Sequence, residues 1–448
     1  MQRTRAETSI VHALLWFALS YGIAILAYVV MNAAAGRWLG PPQFGHFVAL
    51  LTLTGLLSQL GLVGAHRAGL REAARVRDQV DAAEQLAGLR AGVRAVHLTT
   101  LPAIGVVSGA VAAVISDADL ANRVALGVIV TVLVVLSGHQ RMWANYLRGF
   151  GRVRFASLVE GRSGGALVAC VQAVLVAAVW LLAPSWGLLG ALAAAAAGYV
   201  VPVAVARRVV HRCWAHVPFR AHLRRDLRRT VRRDWRFASV QVATYVNASM
   251  EIWLAGLILP AAATSMFTAG QRLAMLLILP MTALQVVLAP VIARLSTADQ
   301  PESLERLLRS AATLALLATL VIWLPMVLAP GTVLTTVFGD AFGAAAPALL
   351  VLSIGSLVNV MTGLSGLTLS MSGREGIAAR VQWMGVALRP VVGIPAAFLG
   401  GVLGLSMSAA VLSAAVFVVL WVRARQRLGV STHVTVRPDL HLLRRTAG

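Results

Sequence analysis

The chain has 448 residues, of which 58% are hydrophobic and only 12% charged, with a mean hydropathy of +0.79. That composition excludes an ordinary soluble domain, in which about a quarter of residues are charged. All 39 positive residues are arginine, giving a net charge of +22. In a soluble protein this would point to nucleic acid, but between apolar runs it reads as anchoring against an anionic membrane face, with no nucleic-acid partner.

Crossing hydrocarbon takes about 20 mostly apolar residues in a helix. Runs of that kind fall near 10–35, 44–65, 95–115, 124–141, 155–182, 188–206, 237–259, 266–291, 311–328, 346–371, 377–399 and 404–422. The first follows Arg3 and Arg5 and ends in small residues at Ala33–Ala35, as a signal peptide would. It is about twice as long as a signal-peptide core of roughly 7–15 residues, so it reads as a retained span. With the N-terminus inside, the inner segments and inner span ends hold 34 arginines, the outer segments hold Arg37 and Arg123, and three lie within spans. This positive-inside bias predicts an even number of spans with both termini cytoplasmic.

The loops limit the chemistry. The longest outer loop, 329–345, has 17 residues, and the inner connections 66–94 and 207–236 are too short to bury a core of their own. A phosphate-binding loop of the G-x-x-x-x-G-K-[ST] type is impossible without lysine, which excludes ATP-driven transport by that device. Asp117 and Asp119 form a D-x-D resembling the metal-binding carboxylates of membrane glycosyltransferases, but no His or further carboxylate stands near, and a solvated turn is the simpler reading. Cys170 lies in a span and Cys213 in an inner loop, so no disulfide framework is implied. Leu223, Leu227, Val231 and Trp235 recur every four residues among Arg224, Arg225, Arg228, Arg229, Arg232, Arg233 and Arg236. The pattern predicts an amphipathic helix in the inner interface, placed where two six-helix halves would be joined.

Ionisable residues inside spans are costly and face a cavity or a partner by default. Glu160 and Arg162 lie about 8–10 Å from the inner end of the fifth span, where snorkelling to water competes with a functional role. Glu251 and Arg272 lie at depths of about 13 Å and 10 Å on consecutive antiparallel spans, so an ion pair between them is expected. It would either fix packing or release Arg272 for an anion when Glu251 is protonated or binds a cation, with Asn247 one turn away completing a polar site. Arg389 has no acidic residue in its own span placed to neutralise it, and Pro390 and Pro395 loosen its helix. A water-filled cavity or an anionic ligand is its natural complement, and a pyrophosphate suits the bidentate guanidinium. Gly61–Gly64 and Gly363–Gly366 read as close helix packing.

A weak internal repeat sets Ala35, Gly36, Leu39, Phe47 and Ala49 on Ala255, Gly256, Leu259, Phe267 and Ala269, and Gly151-Arg152 with Ala156 on Gly373-Arg374 with Ala378. Six spans per half would be parallel repeats about an axis along the membrane normal. The expectation is an all-α polytopic protein of about 12 transmembrane helices in two six-helix lobes enclosing a central cavity. Residues 1–206 form the first lobe, 207–236 a basic amphipathic linker, 237–425 the second lobe and 426–448 a cytoplasmic tail.

The segments R-W-L-G-P-P-Q-F-G-H-F (37–47), L-S-Q-L-G-L (57–62) and L-R-G-F-G-R (147–152) resemble the first half of bacterial polysaccharide-biosynthesis flippases. Glu251, F-T-A-G-Q-R-L (267–273), A-P-V-I-A-R-L (289–295), F-G-D-A-F-G-A-A-A-P-A-L-L-V-L (338–352) and L-S-M-S-G-R (369–374) resemble the second. An aspartate is usual where Glu251 stands and a tyrosine where Phe267 stands. The resemblance implies membership of the multidrug, oligosaccharidyl-lipid and polysaccharide exporter superfamily. It also implies a non-enzymatic flippase of the bacterial cytoplasmic membrane, moving a polyprenyl-pyrophosphate-linked glycan outward by alternating access. Arg389, Arg272 and Arg162 are then the expected pyrophosphate contacts. Glu251 with Asn247 is expected to couple to protons or sodium, and Asn32, Gln59 and Glu160 to line the cavity. No cofactor is expected. Expected partners are the glycolipid, anionic lipids at the cytoplasmic face and other glycan-assembly proteins. Rival readings are a multidrug exporter of the same superfamily and a membrane glycosyltransferase or polymerase.

Overall fold

The computed structural model describes residues 2–66, 69–70, 72–73, 83–159, 165–214, 222–297 and 300–436. It is 92% helical, with no strand among the described residues. Two compact units divide the chain: residues 15–246 form one, and residues 247 onward, with the first 14, form the other.

The N-terminal unit holds most of α1 (Gln2–Leu62), then α2 (Ala83–Leu98), α3 (Thr100–Ile115), α4 (Leu120–Gly149), α5 (Val153–Val159), α6 (Gly165–Leu182), α7 (Gly187–Trp214) and the first part of α8 (Leu223–Ile258). Gly40 has φ 64° and ψ 174°, a conformation open to glycine, and Pro41 and Pro42 follow it. This break divides α1 between the first two apolar runs expected from sequence. Glycines set the helix spacing: a Cβ on Gly109 would overlap the Gly127 carbonyl and the Thr131 hydroxyl, so α3 and α4 touch through backbone. Gly198 lets α7 close on Gln172 of α6, whose Nε2 donates to the Ala195 carbonyl at 2.8 Å. An aromatic cluster closes the arginine-rich end of this unit. Trp214 meets Trp143, Tyr146 and Phe150 edge-on, and the His97 and His139 rings lie 4.0 Å apart beside Trp143.

The C-terminal unit holds the rest of α8, then α9 (Ala261–Ala274), a 3-10 turn, α10 (Leu279–Thr297), α11 (Pro301–Leu328), α12 (Pro330–Phe338), α13 (Ala346–Thr362), α14 (Ser365–Met371) and α15 (Glu375–Leu428). Gly401, with φ 54° and ψ −134°, breaks α15 between the last two expected spans. Gly355 of α13 faces the backbone of Ala410 of α15, and Gly270 of α9 faces the Leu349 backbone. The expected outer loop 329–345 is mostly ordered into α12 and a 3-10 turn, pinned by Phe338 against Phe342. The start of the expected tail is strapped down: Thr432 donates to the Thr362 carbonyl at 2.7 Å, and the Ser431 amide to Glu305 at 3.0 Å.

The surface is inverted relative to a soluble protein. Leu181, Leu257 and Leu399 are 75%, 83% and 91% exposed, whereas Gln140, Asn145, Gln172, Glu251 and Arg389 are buried. Such a surface suits contact with lipid, and this is a multi-pass membrane protein. Nine helices among the described residues are long and apolar enough to cross a membrane, against the twelve spans expected. The physical reason is plain: α1 and α15 each join two apolar runs through a kinked glycine. The membrane half of α8 carries Gln241, Asn247 and Glu251, which lower its hydropathy.

A second difference concerns the expected interfacial linker. Its described parts are not a separate helix: residues up to Trp214 end α7, and residues from Leu223 run unbroken through α8 to Ile258. The basic half of α8 is packed along one face, and its arginines from Arg224 to Arg233 stay exposed on the other. Asp234 is fully buried, its backbone lies against Gly64, and Thr230 is buried beside Gly92.

Replacing Gly109 with Leu forces α3 and α4 apart. A loss of about 1–3 kcal/mol, the usual effect of overpacking, should lower the thermal midpoint of the purified protein, whereas Gly88→Leu, where nothing lies within 4 Å, should not.

Candidate functional site

The two faces that meet in the C-terminal unit are simple to derive. On α8, Asn247 and Glu251 are four residues apart and share one helix face; on α15, Gln382, Gly385 and Arg389 recur at three and four. A Cβ at Gly385 would sit 2.8 Å from Val416 and 3.4 Å from the Asn247 side chain, so the glycine lets α8 and α15 close. In that seam Arg389 Nη1 is ion-paired with Glu251 Oε1, and the two side chains are only 6% and 4% exposed. Arg389 Nε donates to Asn247 Oδ1 at 2.6 Å and Nη2 to Ser413 Oγ at 3.1 Å, from the part of α15 beyond the kink. Asn247 Nδ2 donates in turn to Gln382 Oε1, extending the chain of polar groups.

This corrects two expectations. The carboxylate of Glu251 pairs with Arg389, where the sequence suggested Arg272, and Arg389 has a neutralising partner supplied by another helix. Sequence depth placed Arg272 correctly among buried charges, since it is 9% exposed on α9 with Nη1 3.8 Å from Met275 Sδ. It could not say which helices become neighbours. Glu160 and Arg162 lie outside the described residues.

Asn32 and Gln59 are buried in the N-terminal unit, with Asn32 Nδ2 donating to the Tyr28 carbonyl at 2.7 Å. A hollow of about 70 Å³ in that unit is bordered by other residues, among them Tyr28, Ser137, Gln140, Arg141, Gln172 and Tyr199. The signal for it was readable: Ser137, His139, Gln140 and Arg141 interrupt an otherwise apolar run, although Arg141 was counted with the inner end of its span. Asp119, half of the expected D-x-D, caps α4 by accepting from the Asn122 backbone amide at 3.4 Å, and its other oxygen accepts from the Asn122 side chain at 2.5 Å, which accounts for that carboxylate.

The fold is that of transporters of the MOP superfamily. The chain belongs to the polysaccharide biosynthesis protein family, whose sequence profile matches residues 10–296. No curated protein matches it significantly. Among solved structures, an inward-facing multidrug resistance MATE family transporter of the MOP superfamily is similar with a TM-score of 0.64 at 16% identity, over 90% of this chain and 94% of that one. The lipid II flippase MurJ in an inward closed conformation aligns with a TM-score of 0.67 at 8% identity, over 97% and 90%. A MOP superfamily transporter from Pyrococcus furiosus, described as having a binding pocket of reversed polarity, aligns at 0.58 and 18% identity, over 93% and 95%. At these identities the likeness concerns the fold.

Removing one partner of a buried ion pair strands the other charge, at about 3–5 kcal/mol, whereas replacing both with apolar groups is often neutral. In a double-mutant cycle, Glu251→Gln and Arg389→Met should each lower the thermal midpoint, and the pair together should lower it by less than either alone.

Proposed function

We propose that the protein is a secondary transporter that flips a polyprenyl-pyrophosphate-linked oligosaccharide from the inner to the outer leaflet by alternating access, without enzymatic chemistry of its own. Membership of a polysaccharide biosynthesis family supports a glycan cargo, and the fold likeness to a lipid II flippase supports a lipid-linked one. The observation that carries the mechanism is the buried Glu251–Arg389 pair. A proton or cation arriving at Glu251 removes the charge that holds Arg389, and the freed guanidinium becomes a bidentate donor for a phosphate. Asn247, already bonded to Arg389, keeps the group positioned during the exchange. Arg272, buried on the neighbouring α9, adds positive charge for the pyrophosphate. Coupling by protons or sodium then follows from competition between the ion and Arg389 for one carboxylate.

Both termini are proposed to be cytoplasmic, with the exposed arginines of α8 at the inner face. Arg224, Arg225, Arg228, Arg229 and Arg232 form a row that suits anionic headgroups, each worth about 1 kcal/mol near such a surface.

The second reading, a multidrug exporter, draws on the likeness to a multidrug resistance transporter. A cationic drug would need acidic groups, and the described site holds Glu251 already committed to Arg389. In cells, Glu251→Gln should abolish glycan export while the protein remains in the membrane, and Glu251→Asp should retain it. Normal export by Glu251→Gln would overturn the coupling role, and ethidium extrusion without glycan export would favour the drug reading.

A further inference from the structure

The cavity of the N-terminal unit poses a charge problem that the Glu251–Arg389 pair does not. Arg141, in the S-G-H-Q-R-M-W stretch of α4, borders a hollow of about 70 Å³ that has no carboxylate among its lining residues. Its Nε is buried with no hydrogen-bond partner, and no carboxylate is within ion-pair distance of it among the described residues. The guanidinium carbon lies over the Tyr245 ring, 5.5 Å from its centroid. A cation in this setting is expensive unless an anion or water completes it.

The neighbouring groups narrow what could complete it. Gln140 and Gln172 each give an amide hydrogen, to the Val159 and Ala195 carbonyls respectively, Ser137 donates to Val134, and Tyr245 donates to the Thr52 carbonyl at 3.0 Å. The wall therefore offers polar groups that already donate to backbone carbonyls, tyrosine rings and the guanidinium of Arg141. A second cation gains nothing there, and an apolar ligand would leave Arg141 stranded. A hollow of several water volumes admits a single oxyanion group.

We propose that Arg141 and this cavity form an anion site in the N-terminal unit that binds one phosphoryl group. This inference rests on the flippase reading only for the source of the phosphate. The group could belong to the head of the lipid-linked cargo or to free inorganic phosphate or pyrophosphate. Arg141 would supply the charge-assisted hydrogen bonds that Arg389, held by Glu251, does not supply while that pair is intact.

The test uses the full-length protein in lipid nanodiscs, with inorganic pyrophosphate and undecaprenyl pyrophosphate as separate probes and binding read by calorimetry. The wild type should bind at least one probe, Arg141→Gln should weaken that binding about 10-fold or more, the loss of a charged hydrogen bond, and Arg141→Lys should recover part of it. Binding of the lipid probe alone assigns the site to the cargo, and binding of pyrophosphate alone assigns it to a free anion. A thermal midpoint for Arg141→Gln at or above the wild-type value shows that the variant is folded, as relief of a buried charge predicts. Equal binding by wild type and Arg141→Gln would overturn the site while leaving the flippase reading intact. Glycan export lost in Glu251→Gln alongside unchanged probe binding would separate the two roles in the same way.

Discussion

The Glu251–Arg389 pair is the constraint on which the C-terminal unit turns. Two opposite charges, nearly sealed from solvent, cannot be left apart inside a helical bundle whose outer surface is leucine and valine. Everything near them serves that requirement. Gly385 removes a side chain so that α8 and α15 can close, Asn247 and Ser413 each take a further guanidinium hydrogen, and Gln382 accepts from the amide of Asn247. A buried pair of this kind contributes little net stability over a well-packed apolar alternative. A role that begins when one partner is neutralised therefore fits the pair better than a role in resting stability.

The same logic separates the two units chemically. In the C-terminal unit the positive charge is balanced internally and becomes available only if the carboxylate is taken by another ion. In the N-terminal unit Arg141 faces a polar hollow with no internal carboxylate. One unit holds a conditional cation and the other a standing one, and a transporter of an anionic lipid head can use both. The fold is shared with a multidrug resistance transporter and a lipid II flippase, and the proposed cargo rests on the sign of these buried charges.

Much of the fold was legible from composition alone, because lipid imposes a length and an apolarity on every crossing helix. The runs near 10–35 and 44–65 fall on the two sides of the Gly40 kink, and those near 377–399 and 404–422 on the two sides of Gly401. Buried ionisable residues were equally legible: Glu251, Arg272 and Arg389 are all buried as an apolar context demands. What a linear pattern could not carry was adjacency. Arg272 follows Glu251 by 21 residues and Arg389 by 138, yet the longer separation makes the pair, because helix packing and not chain order decides neighbours. The continuity of α8 was hidden for a related reason. Its arginine-rich start reads as an interfacial segment, and only the close approaches at Gly64, in the turn after α1, and at Gly92 of α2 show that one face of it is packed. Arg141 was passed over because a charge near a span end has an inexpensive explanation in snorkelling.

The central claim is that an ion competes with Arg389 for Glu251 and thereby drives transport. Purified protein in sealed liposomes, with a fluorescent polyprenyl-pyrophosphate glycan in one leaflet, tests it most directly. The account predicts that an imposed proton or sodium gradient accelerates transfer between leaflets in the wild type and leaves Glu251→Gln indifferent. Equal acceleration in both proteins, or transfer in the wild type that ignores either gradient, would contradict it.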